Sequence, residues 1–361
     1  MLRAAAAEVA AQQATARLAG AAASLSGIFA VDKPPGISCT GVLDYFKRNV
    51  GRGAAGVPFA EHFERERDLR RTGEKIRRRR CSLALRVGHG GTLDVEAAGV
   101  LVVGIGRGCK LLGGYLAGGK AYLATARLGA ATDSCDAEGR IVSVASAAAV
   151  TGAALQAAIP RFVGRIQQRP PLYSAIKVDG KRLYEYARGR GGSGGASAPP
   201  AIEPRWVDVG SIKLLCFENP ALAQCVGRRV ALPAQYADYY AGGRYRWSAG
   251  AGEVRVGAPM APFANCPHLP HFQMLVRCGG GVYVRSLVHD LGAAVGSAAA
   301  MVSLVRMSQG PLLLGRDTVG VDDLPHIDRV VEAMRHANAT IERAASHGPS
   351  TTATATATAD S

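Results

Sequence analysis

The chain has 361 residues, with 43 Lys and Arg against 28 Asp and Glu, and its formal net charge is +15. This excess of positive charge indicates a polyanionic partner, most simply nucleic acid, although an arginine-rich composition on a solvated surface would give the same balance. No apolar run reaches the roughly 18 residues that a membrane-spanning helix requires, so we expect no transmembrane segment and no membrane partner.

The first 26 residues, "MLRAAAAEVAAQQATARLAGAAASLS", form an Ala-rich N-terminal extension. With Arg3, Arg17 and the single acid Glu8, its composition is typical of a mitochondrial transit peptide, and a disordered or helical extension is the alternative. The eight cysteines form no CxxC pair, which indicates a reducing, intracellular environment. We therefore expect the protein in the nucleus, the mitochondrion or both, with the cytoplasm as a further alternative.

The next two elements are a strand and a helix. "SGIFAVDKPPGIS" predicts a short strand that ends in a Pro-Pro-Gly turn, and "SCTGVLDYFKRNV" predicts a helix capped by Ser38 or Thr40. Residues 51–82 then resemble an insertion, because eight Arg and one Lys fall between Phe63 and Arg80. We expect a solvated helix or arm that contacts phosphates, and a merely solvated face is the alternative.

A single acid, Asp94, follows a glycine-rich turn in "RVGHGGTLDVEAAGVLVVGIG", residues 86–106. The glycines permit positive φ and the close approach of another chain's backbone. Asp94 would either cap a helix formed by the apolar run or act on a substrate, and this stretch alone favours the cap. The cluster "GIGRG" fails the GxGxxG pattern because Cys109 stands where the third glycine should be, so we predict no dinucleotide-binding fold.

The remaining ordered stretches alternate between strands and helices. "AYLATARLG" predicts a strand, "ATDSCDAEGRIVSV" a polar turn and a strand, and "TGAALQAAIPRFVG" a helix capped by Thr151. "FQMLVRCGGGVYVRSLVHDLGAAVG" predicts a strand, a glycine turn and a helix. This order predicts an α+β fold, with a mixed sheet flanked by helices. Cys266, His268, His271 and Cys278 have poor zinc-site spacing, so we expect no metal.

Five stretches, taken together, resemble the TruB-type tRNA pseudouridine synthases. They occur in the family's order and cover about 100 of the 361 residues. The "GHGG" form and the insertion before it look more like the eukaryotic members than the bacterial ones. The stretches are "VDKPPGIS" (31–38), "GHGGTLDVEAAGVLVVGIGRGCK" (88–110), "KAYLATARLGAATDSCDAEGRI" (120–141), "RPPLYSAIKVDGKRLYEYA" (169–187) and "CGGGVYVRSLVHDLGAAVGSAAAMVSLVRMSQG" (278–310).

The resemblance implies a pseudouridine synthase fold with a central, mixed, largely antiparallel sheet. The catalytic domain would span residues 27–320, with insertions at about 51–82, 188–204 and 218–268. Residues 321–361 would be a tail with a low-complexity end, without the small C-terminal RNA-binding (PUA) domain that many relatives have.

The implied activity is that of a tRNA pseudouridine-55 synthase, which flips a uridine out of the T loop and isomerises it without a cofactor or a metal. Its partner would be the T arm of tRNA, with messenger RNA as a possible second substrate, and the enzyme would be a monomer. The alternatives are a non-catalytic RNA-binding or tRNA-folding protein, and the relative that modifies ribosomal RNA within a guide-RNA particle.

The resemblance also implies roles for individual residues. Asp94 matches the nucleophilic aspartate, and Arg285 matches the arginine that pairs with it. Tyr122 matches the tyrosine that stacks on the flipped base and assists proton removal. His89 matches a histidine that contacts the RNA and helps to hold the target nucleotide out of the stack.

Seven further positions match supporting residues of the family, and for several of them a role in packing alone is the alternative. Lys33, in a turn beside the active site, counts among the RNA-binding residues, Lys110 would meet phosphate, and Tyr283 and Leu304 would line the uracil pocket. The glycines around His89 would give clearance for the RNA. Three basic residues, Lys177, Lys181 and Arg182, belong to the loop that clamps the T arm. The family's pattern breaks after the nucleophile, where Val95 replaces a proline and Glu96, which we expect to face solvent, follows.

Overall fold

The computed structural model describes residues 25–52, 55–72, 85–178, 180–187, 201–232, 236, 240, 254–264 and 266–346. Residues 1–24 of the Ala-rich extension, the arginine run at 77–80, the glycine-rich stretch 188–200 and the low-complexity end lie outside the described residues.

Strands supply the framework of the described part. They are β1 (Gly27–Lys33), β2 (Val87–His89), β3 (Ala98–Ile105), β4 (Lys120–Leu128), β5 (Ala130–Thr132), β6 (Ile141–Val144), β7 (Gly164–Gln168), β8 (Lys177–Val178), β9 (Lys181–Arg182), β10 (Arg205–Asn219), β11 (Gln224–Gly227), β12 (His271–Cys278), β13 (Ala299–Gln309), β14 (Leu312–Leu313) and β15 (Thr318–Val319). The α-helices are α1 (Cys39–Asn49), α2 (Phe59–Thr72), α3 (Leu112–Ala117), α4 (Gly152–Ala158), α5 (Leu183–Ala187), α6 (Val284–Ala294) and α7 (Ile327–Ser346).

Eleven of these strands form one sheet, whose main path runs β11-β10-β12-β4-β13-β3-β1-β15. The strands β2, β7 and β14 join it at β3, β10 and β13. Two pairs, β1 with β15 and β3 with β13, are parallel, and the other pairs of this sheet are antiparallel. The predicted α+β class with a mixed, largely antiparallel sheet is confirmed.

The predicted helix starts are confirmed by their caps. The Ser38 hydroxyl accepts a hydrogen bond from the Gly41 N–H at 2.9 Å, and Thr151 accepts one from Ala154 at 3.1 Å. Each cap satisfies one backbone donor that the first helical turn leaves without an intrahelical acceptor. Of the two predicted candidates, Ser38 is therefore the cap of α1.

The core has a layer on each side of the sheet because successive strand residues face opposite sides. On one side, Tyr122 and Ala124 of β4 join a cluster that also contains residues of α1 and α6. On the other side, Leu123 joins a second cluster with Tyr236 and Phe263. Part of the predicted insertion 218–268, around Tyr236 and Phe263, therefore covers one face of the sheet, whereas its first two residues belong to β10 and Gln224–Gly227 form the edge strand β11.

The helix α7 packs on β1 and belongs to the same core. Val330 is fully buried. The Met334 methyl packs so closely on Gly27 of β1 that a Cβ added to this glycine would lie only 2.5 Å from it. The prediction of a tail from residue 321 is wrong for residues 327–346. These residues form a packed helix because α7 is amphipathic, and its apolar face is removed from water by packing on the sheet.

The helix α2, which forms part of the predicted insertion 51–82, is docked on α1. Phe59 makes an edge-to-face contact with Tyr45 at 5.1 Å between ring centroids, and His62 Nε2 lies 3.1 Å from the Gly41 carbonyl. Its 14 residues carry four Arg and four acids. The expectation of a fully solvated basic helix is therefore wrong for α2, which has a packed face and a balanced charge.

The weak zinc motif has a structural role. Nδ1 of His271 lies 3.1 Å from Nη1 of Arg127. The Arg127 side chain also donates from Nε to the Ala264 carbonyl and from Nη1 to the Leu269 carbonyl, both at 2.7 Å. Within the described residues, no group of three or more His, Cys, Asp and Glu is arranged to hold a metal ion. None of the helices described has the length and apolarity needed to cross a bilayer.

Candidate active site

A cleft of about 2480 Å³ opens at the loop between β2 and β3, with the loop before α6 and the β8-β9 hairpin also on its wall. Small-molecule pockets usually measure about 300–1,000 Å³, so this cleft has the dimensions of a site for a macromolecule. Asp94, Tyr122 and Arg285 all line it. The structure therefore brings together the three residues that were predicted to be catalytic.

Asp94 lies in the loop before β3, and Arg285 lies in the first turn of α6. Nη2 of Arg285 donates to Oδ1 of Asp94 at 3.0 Å, and its Nε lies 2.8 Å from Oδ2. The side chain of Asp94 is 38% exposed, whereas that of Arg285 is only 3% exposed. The arginine thus holds the carboxylate from the protein side and leaves it open to the cleft. Since a strand follows the loop, the interpretation of Asp94 as a helix cap is wrong.

Further contacts fix the guanidinium of Arg285. It donates from Nη1 to the Ser134 carbonyl and from Nη2 to the Tyr173 carbonyl, both at 2.9 Å, and Nη1 lies 3.5 Å from Oδ2 of Asp136. Burial alone would lower the pKa of Arg285, but Asp94 and Asp136 outweigh it and raise that pKa above its ordinary value. The arginine is therefore a permanent cation between two carboxylates.

Asp136 is a residue of the site that sequence reasoning missed. Burial raises the pKa of Asp136 from 3.8 to about 6, against the opposing effects of Arg285, the Ser134 hydroxyl and the Glu138 N–H. The hydroxyl donates to Oδ1 at 2.6 Å and the N–H at 3.0 Å. At neutral pH Asp136 is ionised and shares the positive charge of Arg285 with Asp94. The only signal in the sequence was its position within the matched stretch 120–141.

The last residue of β1 and the first residue of α1 fix the loop that carries Asp94. The ammonium of Lys33 donates to the carbonyls of Val95 at 3.1 Å and Ala97 at 2.6 Å, and Lys33 is fully buried. The Sγ atom of Cys39 accepts from the Leu93 N–H at 3.1 Å. Lys33 was predicted among the RNA-binding residues, and this prediction is wrong because the protein covers its side chain completely. Its ammonium instead holds the backbone of the loop that carries Asp94.

The glycines of "GHGG" make room for the protein's own side chains. A Cβ on Gly90 would approach Cβ of Tyr115 to 2.7 Å, and one on Gly91, whose φ is +145°, would lie 3.3 Å from Nε2 of Gln309. A Cβ on Gly88 would meet the Leu112 side chain at 3.0 Å. The predicted clearance for an RNA backbone is therefore not what these glycines provide. They allow β2 and the loop to lie closely on α3 and β13.

Comparisons with known proteins agree with this geometry. A protein-family model described as the TruB family pseudouridylate synthase (N-terminal domain) matches residues 78–228. The Mus musculus protein named Pseudouridylate synthase TRUB1 is 34% identical over 307 residues, which cover 85% of this chain and 70% of the relative. The chain belongs to the TruB family of pseudouridylate synthases. The aspartate, tyrosine and arginine that the resemblance predicts to be catalytic share one cleft.

Other similar proteins are named as tRNA pseudouridine synthases. The Saccharomyces cerevisiae protein named tRNA pseudouridine synthase 4 is 31% identical over 334 residues, 82% of this chain and 79% of the relative. The Synechocystis sp. protein named tRNA pseudouridine synthase B is 34% identical over 249 residues, 69% of this chain and 65% of the relative. The identities to the eukaryotic and the cyanobacterial TruB proteins are thus similar, and the eukaryotic match extends over more of the chain.

In this TruB-family site, Tyr122 on β4 lies opposite Arg306 on β13. Arg306 is fully buried and donates from Nε to the Val100 carbonyl at 2.6 Å and from Nη2 to the Gly91 carbonyl at 3.2 Å. Burial raises the pKa of Tyr122, and the guanidinium of Arg306 offsets only part of this rise. The phenol is therefore neutral at physiological pH and is suited to stacking and hydrogen bonding. Arg306 was not singled out in the sequence, although it lies in the matched stretch 278–310.

The predicted RNA-contacting residues divide into two groups. His89, Lys177 and Arg182 line the same cleft as Asp94, and Lys181 is exposed on the same β8-β9 hairpin. Burial, together with the charges of nearby arginines, lowers the pKa of His89, so its imidazole is neutral at pH 7. Lys110 is exposed on a 3-10 helix and does not line the cleft.

The two residues predicted for the uracil pocket also differ. Tyr283 lines the cleft, and the Gln168 amide fixes its backbone by accepting from the Tyr283 N–H at 2.8 Å and donating to its carbonyl at 2.9 Å. Leu304 instead lines a small cavity of about 20 Å³ that adjoins Asp94 and Asp136. Its side chain belongs to the same hydrophobic cluster as Tyr122.

The predicted insertion 218–268 reaches this small cavity through Tyr240. The Tyr240 hydroxyl donates to the Glu96 carbonyl in a short hydrogen bond and lies 3.3 Å from the Leu304 carbonyl. Glu96 is half-buried and lines both the cleft and the small cavity, so it is only partly exposed to solvent. The insertion thus contacts the segment where the family's pattern after the nucleophile breaks. No period or motif in the insertion signalled this contact.

Proposed function

We propose that the protein is a tRNA pseudouridine synthase that isomerises the uridine at position 55 in the T loop of tRNA. The observation that carries this proposal is the carboxylate of Asp94, held at two points by Arg285 and open to a cleft of macromolecular size. A carboxylate nucleophile needs to be aimed at its target, and a buried guanidinium that contacts both carboxylate oxygens fixes their orientation. The names of the mouse, yeast and cyanobacterial relatives support the same reaction.

The reaction breaks the bond between N1 of uracil and C1′ of ribose, rotates the base and forms a bond between C5 and C1′. The proton that C5 carried is lost, and N1 gains one, so the product is an isomer and the reaction needs no oxidant or reductant. Asp94 is placed to stabilise the separated ribose, covalently or as an ion pair, while the base turns. Arg285 and Asp136 keep the carboxylate in one orientation through these steps.

Tyr122 supports the base while it rotates. Its ring is buried, it lines the cleft, and its phenol is neutral, so it offers an aromatic face and one hydroxyl to a flipped uracil. An enclosed position of this kind also excludes water, which would otherwise capture the ribose and release free uracil. Its hydroxyl is a candidate carrier for the proton that leaves C5.

Recognition of the T arm is supported by charge and shape. The net charge of +15 favours RNA, and Lys177 and Arg182 on the β8-β9 hairpin line the same cleft as Asp94. Single-stranded loops are the part of RNA whose bases proteins can reach and flip. We propose the protein as a monomer on this substrate, with messenger RNA stem-loops of the same shape as a second substrate class.

The deciding experiment measures tritium release from tRNA that contains uridine labelled with tritium at C5. The wild type should release tritium in proportion to pseudouridine formed, and Asp94→Asn should release none above background. Asp44→Asn is the matched control, because it removes another carboxylate that lines the same cleft. Normal turnover by Asp94→Asn would overturn the assignment of the nucleophile.

The same assay separates the alternative functions. A stem-loop of the T arm alone should be a substrate, and replacing its target uridine with cytidine should abolish release. If neither RNA is turned over although both bind, the protein is a non-catalytic RNA-binding or tRNA-folding protein. If only ribosomal RNA is modified, the chemistry stands and the proposed substrate is wrong.

A further inference from the structure

Trp206 is an exposed aromatic residue on the wall of the cleft. It lies near the start of β10 and is 58% exposed, whereas its neighbours Val207 and Val209 on the opposite face of the strand are 7% and 1% exposed. Tryptophan is usually among the more buried residues, because its large apolar surface favours removal from water. An indole left open inside a functional cleft is therefore a candidate contact for a ligand.

A cation supports the indole from its own sheet. Trp206 pairs with Gln167 of β7. Arg165 lies two residues before Gln167 in the same strand, so its side chain is on the same face as the indole. The guanidinium carbon of Arg165 lies 5.4 Å from the centroid of the indole ring. This arrangement holds the ring in place and sets a positive charge beside it.

The position of Trp206 is tied to the catalytic pocket through the backbone. Arg205, the preceding residue, pairs with Gln168, and the Gln168 amide holds both backbone groups of Tyr283 at the pocket. Trp206 is one strand position, about 3.3 Å, away from this contact, and although its indole faces the opposite side of the sheet from the Gln168 amide, it still lines the same cleft. The adjoining rim of the cleft includes Leu116, which is 60% exposed, and Gly280.

The surroundings of Trp206 are basic. Arg165, Arg169 and Arg205 are exposed on this part of the protein, and Lys177 and Arg182 line the same cleft, against the exposed acids Glu203 and Asp208. Exposed aromatic rings with interleaved arginines are the combination that binds unpaired nucleotides, by stacking on the base and pairing with its phosphate.

We propose that Trp206, supported by Arg165, is a stacking site for an unpaired base of the RNA substrate that lies next to the flipped uridine. This inference rests on the proposed function and adds a binding residue to it. The indole replaces part of the stacking that the neighbouring base gives up when the uridine leaves the loop. Stacking reads no base edge, so the site accepts any of the four bases and prefers purines for their larger surface.

The first test is tryptophan fluorescence. The chain contains two tryptophans, so Trp247→Phe leaves Trp206 as the only one. Titrating this protein with the T-arm stem-loop, in an Asp94→Asn background that prevents turnover, should quench the emission in step with binding measured by anisotropy of a labelled RNA. Emission that stays unchanged at saturating RNA would overturn the proposal.

The second test is affinity. Trp206→Ala should weaken binding of the stem-loop by about five-fold or more, as expected from removal of one base–aromatic stack worth roughly 1–3 kcal/mol, and Trp206→Phe should retain most of the affinity. Trp206→Ala removes no charge, so the dependence of the dissociation constant on salt should keep its slope, whereas Arg165→Ala should reduce that slope. Leu222→Ala is the matched control, because it trims an exposed apolar side chain just beyond the other end of β10.

The outcomes separate this proposal from the proposed function. If the wild type forms pseudouridine and Trp206→Ala binds and reacts like the wild type, the stacking site is wrong and the enzyme assignment stands. If RNA quenches Trp206 but no tritium is released from any tRNA, the stacking site stands and the catalytic assignment fails. Equal losses of affinity in Trp206→Ala and Leu222→Ala would show a general effect of surface trimming and would also overturn the proposal.

Discussion

The guanidinium of Arg285 contacts both carboxylate oxygens of Asp94, although 191 residues separate the two in the sequence. The same guanidinium lies 3.5 Å from Asp136. One buried cation thus balances two carboxylates, of which Asp94 alone is substantially open to the cleft. Any change at Arg285 should therefore affect the orientation of the nucleophile before it affects the binding of RNA.

The first prediction concerns Arg285→Lys, which keeps the charge but cannot hold the carboxylate at two points. A misplacement of the nucleophile by about 1 Å can cost roughly 100-fold in rate, so we expect single-turnover pseudouridine formation to slow by about that factor, with the RNA dissociation constant unchanged. Arg169→Lys, at an exposed arginine near the same cleft, should leave both quantities unchanged. A rate in Arg285→Lys equal to that of the wild type would contradict this account of the pair.

The second prediction follows from the raised pKa of Asp136. Its folded-state pKa of about 6 lies above the ordinary 3.8, so the folded protein binds this proton more tightly than the unfolded chain. Stability should therefore fall as pH rises between about 4 and 6, by up to about 3 kcal/mol from this group. Asp136→Asn does not titrate and should have a correspondingly flatter profile. Urea unfolding measured between about pH 4 and 6 gives the free energy of unfolding of both proteins. If this free energy depended on pH in the same way in the wild type and in Asp136→Asn, the prediction would be contradicted.

Much of the fold could be predicted because local rules agree with the final packing. Ser38 and Thr151 cap helices where their sequence positions suggested, and β4 forms where a strand was predicted, although it is buried on both faces. The apolar run after Asp94 was harder, since eight buried residues in a row occur in a helix or in a central strand. Its partners β1 and β13, which lie about 70 and 200 residues away in the sequence, decide that it is a strand.

The parts of the site that were missed depend on contacts between distant segments. Asp136 and Arg306 acquire roles only because the sheet brings them to Arg285 and Tyr122, and neither lies in a motif with its own chemistry. Lys33 was counted among the RNA-binding residues from the family resemblance, yet three backbone carbonyls surround its ammonium. A single sequence does not show which lysines face inward, because burial is decided by the loops that close over them.

The third prediction tests this correction for Lys33. Lys33→Met would take the lysine donor from the buried Ala97 carbonyl, whereas the Val95 carbonyl would keep the Gly36 N–H, so we expect a decrease of roughly 1–3 kcal/mol in unfolding free energy. The rate of pseudouridine formation should fall because the nucleophile loop loses its anchor. RNA affinity and its salt dependence, measured in an Asp94→Asn background, should stay as before. A reduced salt slope would instead support the original assignment of Lys33 to RNA.

The fourth prediction concerns the hydroxyl of Tyr240, which joins the insertion to the backbone of Glu96. Tyr240→Phe removes only this hydroxyl, and the loop that carries Asp94 should become less well fixed. We expect a fall in single-turnover rate of about five-fold, which corresponds to the roughly 1 kcal/mol of one net hydrogen bond, with RNA affinity unchanged.

Tyr236 provides the matched control for Tyr240. It is a buried tyrosine of the same hydrophobic cluster, and its hydroxyl has no hydrogen-bond partner among the described residues. Tyr236→Phe should therefore leave the rate unchanged. Similar rates for the two variants would show that the insertion only covers the sheet.

The fifth prediction concerns the arginine-rich segment that follows α2. The described helix carries four Arg and four acids, so the positive excess of the insertion falls on the run Arg77 to Arg80. Changing these four arginines to Ala should weaken tRNA binding and reduce the slope of log affinity against log salt by about 0.7–0.9 for each phosphate that is no longer neutralised. Arg65→Ala with Arg67→Ala is the control, because these residues belong to the charge-balanced helix and Arg67 already pairs with Glu64. If the control variant reduced the salt dependence as much as the quadruple variant, the grip on RNA would belong to α2, and the run at 77–80 would be only a solvated surface.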